Sequence, residues 1–112
     1  MGRDLLCHER TRAVFEVVGK RWSGLILALL LQRPARFSEL ARAVPGLSER
    51  VLSERLQELV ALGLVKRRVE PGPPLGTIYE LTAAGERFRP ALKQLLRWGE
   101  ALPAPDEIKA PV

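Results

Sequence analysis

Residues 45–68 read Pro-Gly-Leu-Ser-Glu-Arg-Val-Leu-Ser-Glu-Arg-Leu-Gln-Glu-Leu-Val-Ala-Leu-Gly-Leu-Val-Lys-Arg-Arg, and this stretch decides the fold. Ser48 has the side chain of a helix N-cap and Gly63 is a typical C-terminal stop, so the sequence predicts one helix of about four turns between them. Apolar residues recur within it at three- and four-residue spacing and therefore share one face. They are Leu47, Val51, Leu52, Leu56, Leu59 and Leu62.

The spacing of apolar residues changes after Gly63 from that of a helix to that of a strand. Residues 64–70 and 77–81 are strand-like, and residues 71–76, Pro-Gly-Pro-Pro-Leu-Gly, cannot continue either a helix or a regular strand. The pattern predicts a β-hairpin with a stiff tip. Three consecutive cations, Lys66, Arg67 and Arg68, lie on its first strand.

The residues before this stretch predict two further helices, a short strand and a third helix. A helix is expected over 11–18, and the almost wholly apolar run 22–32 is typical of a buried central helix. After it, 35–37 suit a stub of strand. Ser38 is expected to cap a helix over 39–44, which a Pro-Gly turn separates from the helix that begins at Ser48.

The residues after the hairpin predict a last helix. Thr82 is its expected N-cap, and Pro90, which removes one backbone hydrogen bond, is expected to bend it or divide it into two segments. We therefore expect three parts: a flexible N-terminal arm at 1–10, a folded domain at 11–102 with dimerising first and last helices, and an extended proline-rich tail at 103–112.

The predicted fold class is mainly α with a small β-hairpin (α+β). The element order is α-α-β-α-α-β-β-α. A short helix, a tight turn containing glycine, a second helix and a basic hairpin together match a winged helix-turn-helix.

Composition narrows the class of partner. The chain has 112 residues, enough for one core, and its 18 Lys and Arg against 13 Asp and Glu give a net charge of +5. This excess predicts an anionic partner. No apolar run approaches the roughly 20 residues of a membrane span, and no secretory signal is visible, so double-stranded DNA in the cytoplasm is favoured over a membrane.

Chemistry at a catalytic or metal site is not predicted. The sequence has no Ser-His-Asp set and no glycine-rich phosphate loop, so we expect neither an enzyme nor a cofactor. His8 and Cys7 are adjacent, but the chain has one histidine and one cysteine, too few for a metal site. The single thiol also excludes an internal disulfide.

The outward face of the helix after Ser48 predicts base contacts. Arg50 can grip guanine in a bidentate way, or it can be a solvated charge paired with Glu54. The further predicted contacts are Ser48, Ser53, Glu54 and Gln57. A carboxylate such as that of Glu54 either accepts a hydrogen bond from cytosine or lies at the edge of the groove.

Phosphate contacts are predicted from the cations around this helix. On the hairpin they are Lys66, Arg67 and Arg68, whose alternative role is to protect an edge strand from aggregation. Further upstream they are Arg36 and Ser38, followed by Lys20 and Arg21. Arg55 instead falls within the apolar stripe, where an ion pair that anchors the helix is the favoured role.

Several sequence blocks in register carry a family resemblance that covers about residues 7–99. They are Gly19-Lys20-Arg21-Trp22, Arg36-Phe37-Ser38-Glu39-Leu40, Pro45-Gly46-Leu47-Ser48, the run 51–59, Gly63-Leu64-Val65, Tyr79-Glu80-Leu81-Thr82 and Gly85. In order and spacing they resemble the HxlR-type bacterial regulators. The resemblance implies a homodimeric transcription factor that binds a pseudo-palindromic operator.

The same resemblance implies a redox role. The chain is most similar to members that sense quinones, aldehydes or thiol oxidants through an N-terminal cysteine, and Cys7 stands at about that place. This implies a small reactive effector. Some members have a second cysteine near the C-terminus that completes a disulfide between subunits, whereas here Cys7 is alone. Relatives also often have a basic residue at the position of Gly76. The alternative for Cys7 is an inert thiol.

A second class of function remains open at the level of sequence. The scaffold can serve as a protein-interaction and dimerisation module that does not bind specific DNA. The basic hairpin argues against this role, and the carboxylates of the recognition helix argue for it.

Overall fold

A computed structural model describes residues 3–73 and 75–104. Within them the chain forms a winged helix-turn-helix, as predicted. The elements are α1 (Glu9–Val18), α2 (Ser23–Gln32), β1 (Ala35–Arg36), α3 (Phe37–Ala43), α4 (Glu49–Ala61), β2 (Val65–Glu70), β3 (Gly76–Leu81), α5 (Ala83–Glu86) and α6 (Phe88–Gly99).

The core lies between α2, α4 and the sheet. Ile26 and Leu27 of α2 meet the apolar stripe of α4, in which Leu52, Leu56 and Leu59 are at most 1% exposed. Burial of such a side chain contributes about 1.5–3 kcal/mol, so α2 and α4 are held mainly by this contact. The expected central helix is confirmed, although one side of it, at Leu25, is exposed.

Helix α4 begins and ends where its sequence predicts. The Ser48 hydroxyl accepts a hydrogen bond from the Val51 amide at 3.1 Å. At the other end Gly63 has φ of +78°, which favours glycine, and the amides of Gly63 and Leu64 donate to the carbonyls of Val60 and Leu59. This is a Schellman motif, and it turns the chain directly into β2.

The three strands form an antiparallel sheet in the order β1-β3-β2. The hairpin register pairs Val65 with Leu81 and Lys66 with Glu80. β1 covers only Ala35–Arg36 and pairs with the middle of β3. The expected strand stub is therefore present, but Phe37 already belongs to α3.

The prediction that Ser38 caps α3 is wrong. α3 begins at Phe37, two residues before the predicted start at 39, and the carboxylate of Glu39 accepts a hydrogen bond from the Arg36 backbone amide at 2.9 Å. Arg33 holds the same carboxylate at 2.7 Å. Because a glutamate in the first turn can reach back to the N-cap amide, it takes the capping role and leaves Ser38 exposed in that turn.

The last helix is divided, but not at the proline. α5 and α6 meet at Arg87, and Pro90 lies in the first turn of α6, where its missing amide has no helical partner in any case. α5 is capped by the Thr82 hydroxyl, which accepts from the Gly85 amide at 3.1 Å. Gly85 is buried directly against the backbone carbonyl of Leu64, where a Cβ atom would collide.

The two outer helices have no buried residue. α1 starts at Glu9, inside the stretch expected to be a flexible arm. The apolar side chains of α1 and α6 are exposed, namely Val14, Phe15, Leu95, Leu96 and Trp98. Of the predicted proline-rich tail, residues 105–112 lie outside the part of the chain that the structure describes.

Candidate nucleic-acid interface

One face of α4 brings together the side chains predicted to read bases. The side chains lie on one face because they form two pairs at four-residue spacing, Arg50 with Glu54 and Ser53 with Gln57. We call this set the row on α4. Ser53 is half-buried and the other three are exposed, Arg50 with 81% of its side chain. The row is therefore open to a ligand.

Weak bonds join the members of this row. The Arg50 guanidinium lies 3.3 Å from the Glu54 carboxylate, and the Gln57 amide donates to the Ser53 hydroxyl at 3.4 Å. An exposed ion pair at this spacing is worth about 0.3–0.5 kcal/mol. A bidentate arginine–guanine contact supplies about 1–3 kcal/mol of discrimination, so the ion pair does not prevent Arg50 from turning to a base.

Ser48 lies at the N-terminus of the same helix. Its oxygen is used to cap α4, but its hydroxyl proton can still be donated. An exposed helix N-terminus with a free hydroxyl donor is suited to a phosphate oxygen. The structure therefore places Ser48 at the N-terminus of α4, beside the row predicted to read bases rather than within it.

The predicted cations of the hairpin are divided between two faces. Side chains alternate along a strand, so Lys66 and Arg68 share one face and Arg67 the other. On the first face both cations approach the carboxylate of Glu80, with Lys66 Nζ at 3.9 Å and Arg68 Nε at 3.0 Å. Arg67 is exposed and has no ion pair with another described residue.

Arg36 and Ser38 lie at the start of α3, next to the hairpin. The Arg36 side chain is 29% exposed, lies against Gly76 and reaches the carboxylate of Glu70 at 3.8 Å. It therefore links the helix-turn-helix to the hairpin. Ser38 is exposed, and its hydroxyl is not used as a cap.

Arg55 forms an ion pair, but its partner Glu58 lies on the same helix, so this pair does not anchor α4 as predicted. Arg55 meets Glu58 at 2.9 Å, and Lys20, in the turn before α2, meets the same carboxylate at 3.0 Å. The hydrogen bond from Lys20 is the main cause that lowers the pKa of Glu58. Lys20 is thereby engaged in anchoring α4 to the body of the domain. Its neighbour Arg21 lies over the Trp22 ring at 4.7 Å.

Cys7 is exposed immediately before α1. Its thiol is 3.9 Å from the carbonyl oxygen of His8. Within the described residues no hydrogen bond joins it to a cation. The structure thus places Cys7 directly before an outer helix.

A large open groove runs between the two outer helices and is lined mainly by apolar side chains. Its volume is about 1360 Å³. His8 and Phe15 line it from the side of α1, and Phe88 and Leu95 from α6. Arg89, in the first turn of α6, donates a hydrogen bond to the Leu31 carbonyl at the end of α2 and so ties this wall to the core.

Sequence reasoning missed two carboxylates of the site, Glu80 and Glu58. Glu80 pairs with cations across the hairpin, and this pairing can be recognised only when the register of the two strands is known. Glu58 was not singled out from the sequence, because its partner Lys20 is 38 residues away. Spacing along one helix cannot reveal such a contact.

Two further findings concern other classes of site. No three histidine, cysteine or acidic side chains within the described residues are grouped so that they could hold a metal ion. A search of the same residues finds no helix with the length and apolar character needed to cross a membrane.

Fold and sequence together define the class of the protein. Residues 17–107 match the HxlR-like helix-turn-helix family, so the chain belongs to that family of transcriptional regulators. It is therefore a helix-turn-helix regulator and not an enzyme.

Particular relatives come from Bacillus subtilis (strain 168). The HTH-type transcriptional regulator YvaP is 43% identical over 98 residues, which cover 88% of this chain and 90% of that protein. YodB is 34% identical and covers 88% of each. The reduced form of YodB superposes with a TM-score of 0.78 over 89% of this chain and 98% of YodB, at 33% identity.

A second solved structure has a similar TM-score to this chain. The redox regulator HypR in its oxidised form matches with a TM-score of 0.76 and 31% identity, over 84% of this chain and 97% of that one. Structures of YodB with bound quinone and after diamide treatment also match, at TM-scores of 0.74 and 0.71.

Proposed function

We propose that this regulator is a homodimer that binds a pseudo-palindromic operator in double-stranded DNA and responds to thiol-reactive compounds through Cys7. Its proposed compartment is the cytoplasm, where the chromosome lies. The observation that carries DNA binding is the open polar row on α4, flanked by the cationic hairpin. In a winged helix-turn-helix this helix enters the major groove while neighbouring cations contact phosphates.

The proposed division of roles follows the geometry. Arg50, with Ser53, Glu54 and Gln57, faces base edges. Phosphates are contacted by Ser48 and Ser38 and by four cations, Lys66, Arg67, Arg68 and Arg36. With six to ten such contacts, affinity falls by about 10³–10⁵ between 50 and 200 mM salt.

Binding is tested by fluorescence anisotropy with the promoter region upstream of the protein's own gene. Arg50→Ala is expected to weaken operator binding by about 10- to 100-fold for each half-site, because each subunit loses one bidentate base contact. Arg12→Ala, which removes an exposed cation of α1, is the matched control and is expected to have little effect. Equal affinity of Arg50→Ala and the parent protein would contradict the proposed role of α4.

The proposed homodimer rests on the outer helices. Monomeric proteins rarely leave large contiguous apolar patches exposed, and here α1 and α6 together do so along the groove. A second copy would cover the patch through a symmetric contact. Two copies of α4 would then read half-sites about 34 Å apart, or a multiple of that distance.

The proposed redox response rests on position and on relatives. Cys7 is exposed where the outer helices begin, so a modification there would act next to the proposed dimer contact. YodB, a relative, has been solved with quinone bound and after treatment with diamide. We expect diamide or quinone to release operator DNA from the parent protein but not from Cys7→Ser. Release that is unchanged in Cys7→Ser would refute the sensor role.

One observation favours the alternative of an interaction module without specific DNA binding. Carboxylates already hold part of the cationic surface, since Glu54 meets Arg50 and Glu80 meets both Lys66 and Arg68. A gel shift with the promoter fragment and an excess of unrelated competitor separates the two functions. Failure to retain the fragment at micromolar protein would favour the module.

A further inference from the structure

We propose that Glu80 weakens the attraction of the hairpin for DNA phosphates and so limits binding to unrelated sequences. The inference rests on the proposed DNA-binding function and deepens it. Its basis is the arrangement of one carboxylate between two of the three hairpin cations.

The strand register places this carboxylate. Lys66 and Glu80 are directly paired across β2 and β3, and Arg68 lies on the same face of the hairpin, one pleat further along. The Glu80 side chain is only 22% exposed, whereas Lys66 and Arg68 are 60% and 47% exposed. The carboxylate thus lies beneath the cations, where it offsets their charge without blocking their ends.

Arg67 provides an internal comparison. It points to the opposite face, across from Tyr79, and forms no ion pair with any residue in 3–73 or 75–104. A phosphate that approaches Arg67 meets a free guanidinium. A phosphate that approaches Arg68 must compete with Glu80, which is within hydrogen-bond distance at 3.0 Å.

This competition lowers the affinity of the hairpin for any duplex. Non-specific binding is almost entirely electrostatic, whereas operator binding also has base contacts from α4. On unrelated DNA the phosphate contacts are therefore almost the whole of the binding free energy. A carboxylate that weakens one of them limits how tightly the protein is held at the many competing sites.

The test compares Glu80→Gln with Glu86→Gln on a random-sequence 30-base-pair duplex. Both variants lose one negative charge that is paired with an arginine, but Glu86 lies on α5 and pairs with Arg89. Glu80→Gln is expected to tighten random-duplex binding about eightfold at 0.1 M salt for each subunit that contacts the duplex, the contribution of one added phosphate contact per subunit. Glu86→Gln is expected to change it less than about twofold, since exposed charges further apart than a Debye length are screened.

A double-mutant cycle locates the effect. In the parent protein, Arg68→Gln is expected to weaken random-duplex binding less than Arg67→Gln. In the Glu80→Gln background the cost of Arg68→Gln should rise to that of Arg67→Gln. Additive effects of Arg68→Gln and Glu80→Gln would overturn the inference, because residues in contact are expected to couple.

The outcomes separate this inference from the proposed function. If the parent binds DNA but Glu80→Gln and Glu86→Gln behave alike, the role of Glu80 is refuted and DNA binding stands. If neither the parent nor any variant binds, both fail. Thermal melts check the fold of each variant; should Glu80→Gln not fold, equal losses for Arg67→Gln and Arg68→Gln in the parent would by themselves refute the inference.

Discussion

The inner helix pair and the outer helix pair of this protein are built differently. α3 and α4 begin with side-chain caps, from Glu39 and Ser48, and α4 buries three leucines of its apolar stripe. α1 and α6 have no side-chain cap at their N-termini and no buried residue. Yet α6 also has an apolar stripe, which includes Leu95 and Leu96.

The difference shows which helices are packed by the monomer alone and which still expose apolar side chains. The position of α4 is fixed by the core of the monomer, so its polar row can be presented to a ligand without further assembly. The outer helices have apolar surface still to cover, so their stability is expected to depend on a second copy. Four variants test this contrast.

The largest effect is expected from Leu56→Ala in α4. The side chain is 1% exposed and central to the contact with α2, so its truncation should cost about 2–5 kcal/mol of unfolding free energy. Urea denaturation checks this value at a protein concentration below that of the dimer transition. A cost under 1 kcal/mol would show that α4 is not held by the monomer core.

Leu96→Asp is expected to act on assembly instead. The residue is 65% exposed in α6, so the monomer should remain folded while a charge on the apolar surface of α6 weakens association by about 2 kcal/mol or more. Sedimentation equilibrium measures the shift. Leu75→Asp, at the equally exposed tip of the hairpin, is the control and should leave association unchanged. If the parent protein is monomeric at micromolar concentration, the outer helices do not depend on a second copy and the expected difference between the two helix pairs is wrong.

Ser48→Ala tests the cap of α4. Loss of its hydrogen bond to the Val51 amide should cost about 1 kcal/mol. Ser38→Ala, which removes a serine from the first turn of α3 without removing a cap, should cost clearly less. Thermal denaturation of the two variants gives the comparison. Equal costs would mean that the observed capping geometry does not set helix stability.

Glu39→Gln is expected to have the smallest effect, which should be present above pH 4.5 and disappear in acid. The hydrogen bond from Arg33, with that from the Arg36 amide, lowers the pKa of Glu39 from 4.5 to about 2. Its contribution is therefore complete above pH 4.5 and is lost as the pH falls towards 2. The parent should lose more stability than Glu39→Gln over this range in urea titrations. Parallel pH profiles would contradict the pKa shift.

Local signals in the sequence predicted most of the fold. The stripe of α4, the cap at Ser48 and the stop at Gly63 act through residues within a few positions of one another, so they could be recognised without the structure. The start of α3 could not be recognised in this way, because the side chains of Ser38 and Glu39 can each cap the helix N-terminus. The choice is fixed by Arg33, which binds Glu39.

The candidate site was predicted in part. The row on α4 follows from helical spacing alone. The pairing of Lys66 and Arg68 with Glu80 depends on the hairpin register, which the proline-rich tip at 71–76 does not specify through any standard turn type. The ion pair between Lys20 and Glu58 depends on how α2 and α4 pack against each other, and the apolar pattern of either helix alone does not show this.

Gly85 has a consequence for how this fold can change. It is packed against the Leu64 carbonyl at the root of the hairpin, and only Arg87 separates its short helix from α6. Any larger residue at 85 would push α6 away from the body of the domain. In an assembly of two copies, that displacement would reset the distance and angle at which the pair grips a duplex. Operator geometry could therefore be altered from a position that never touches nucleic acid.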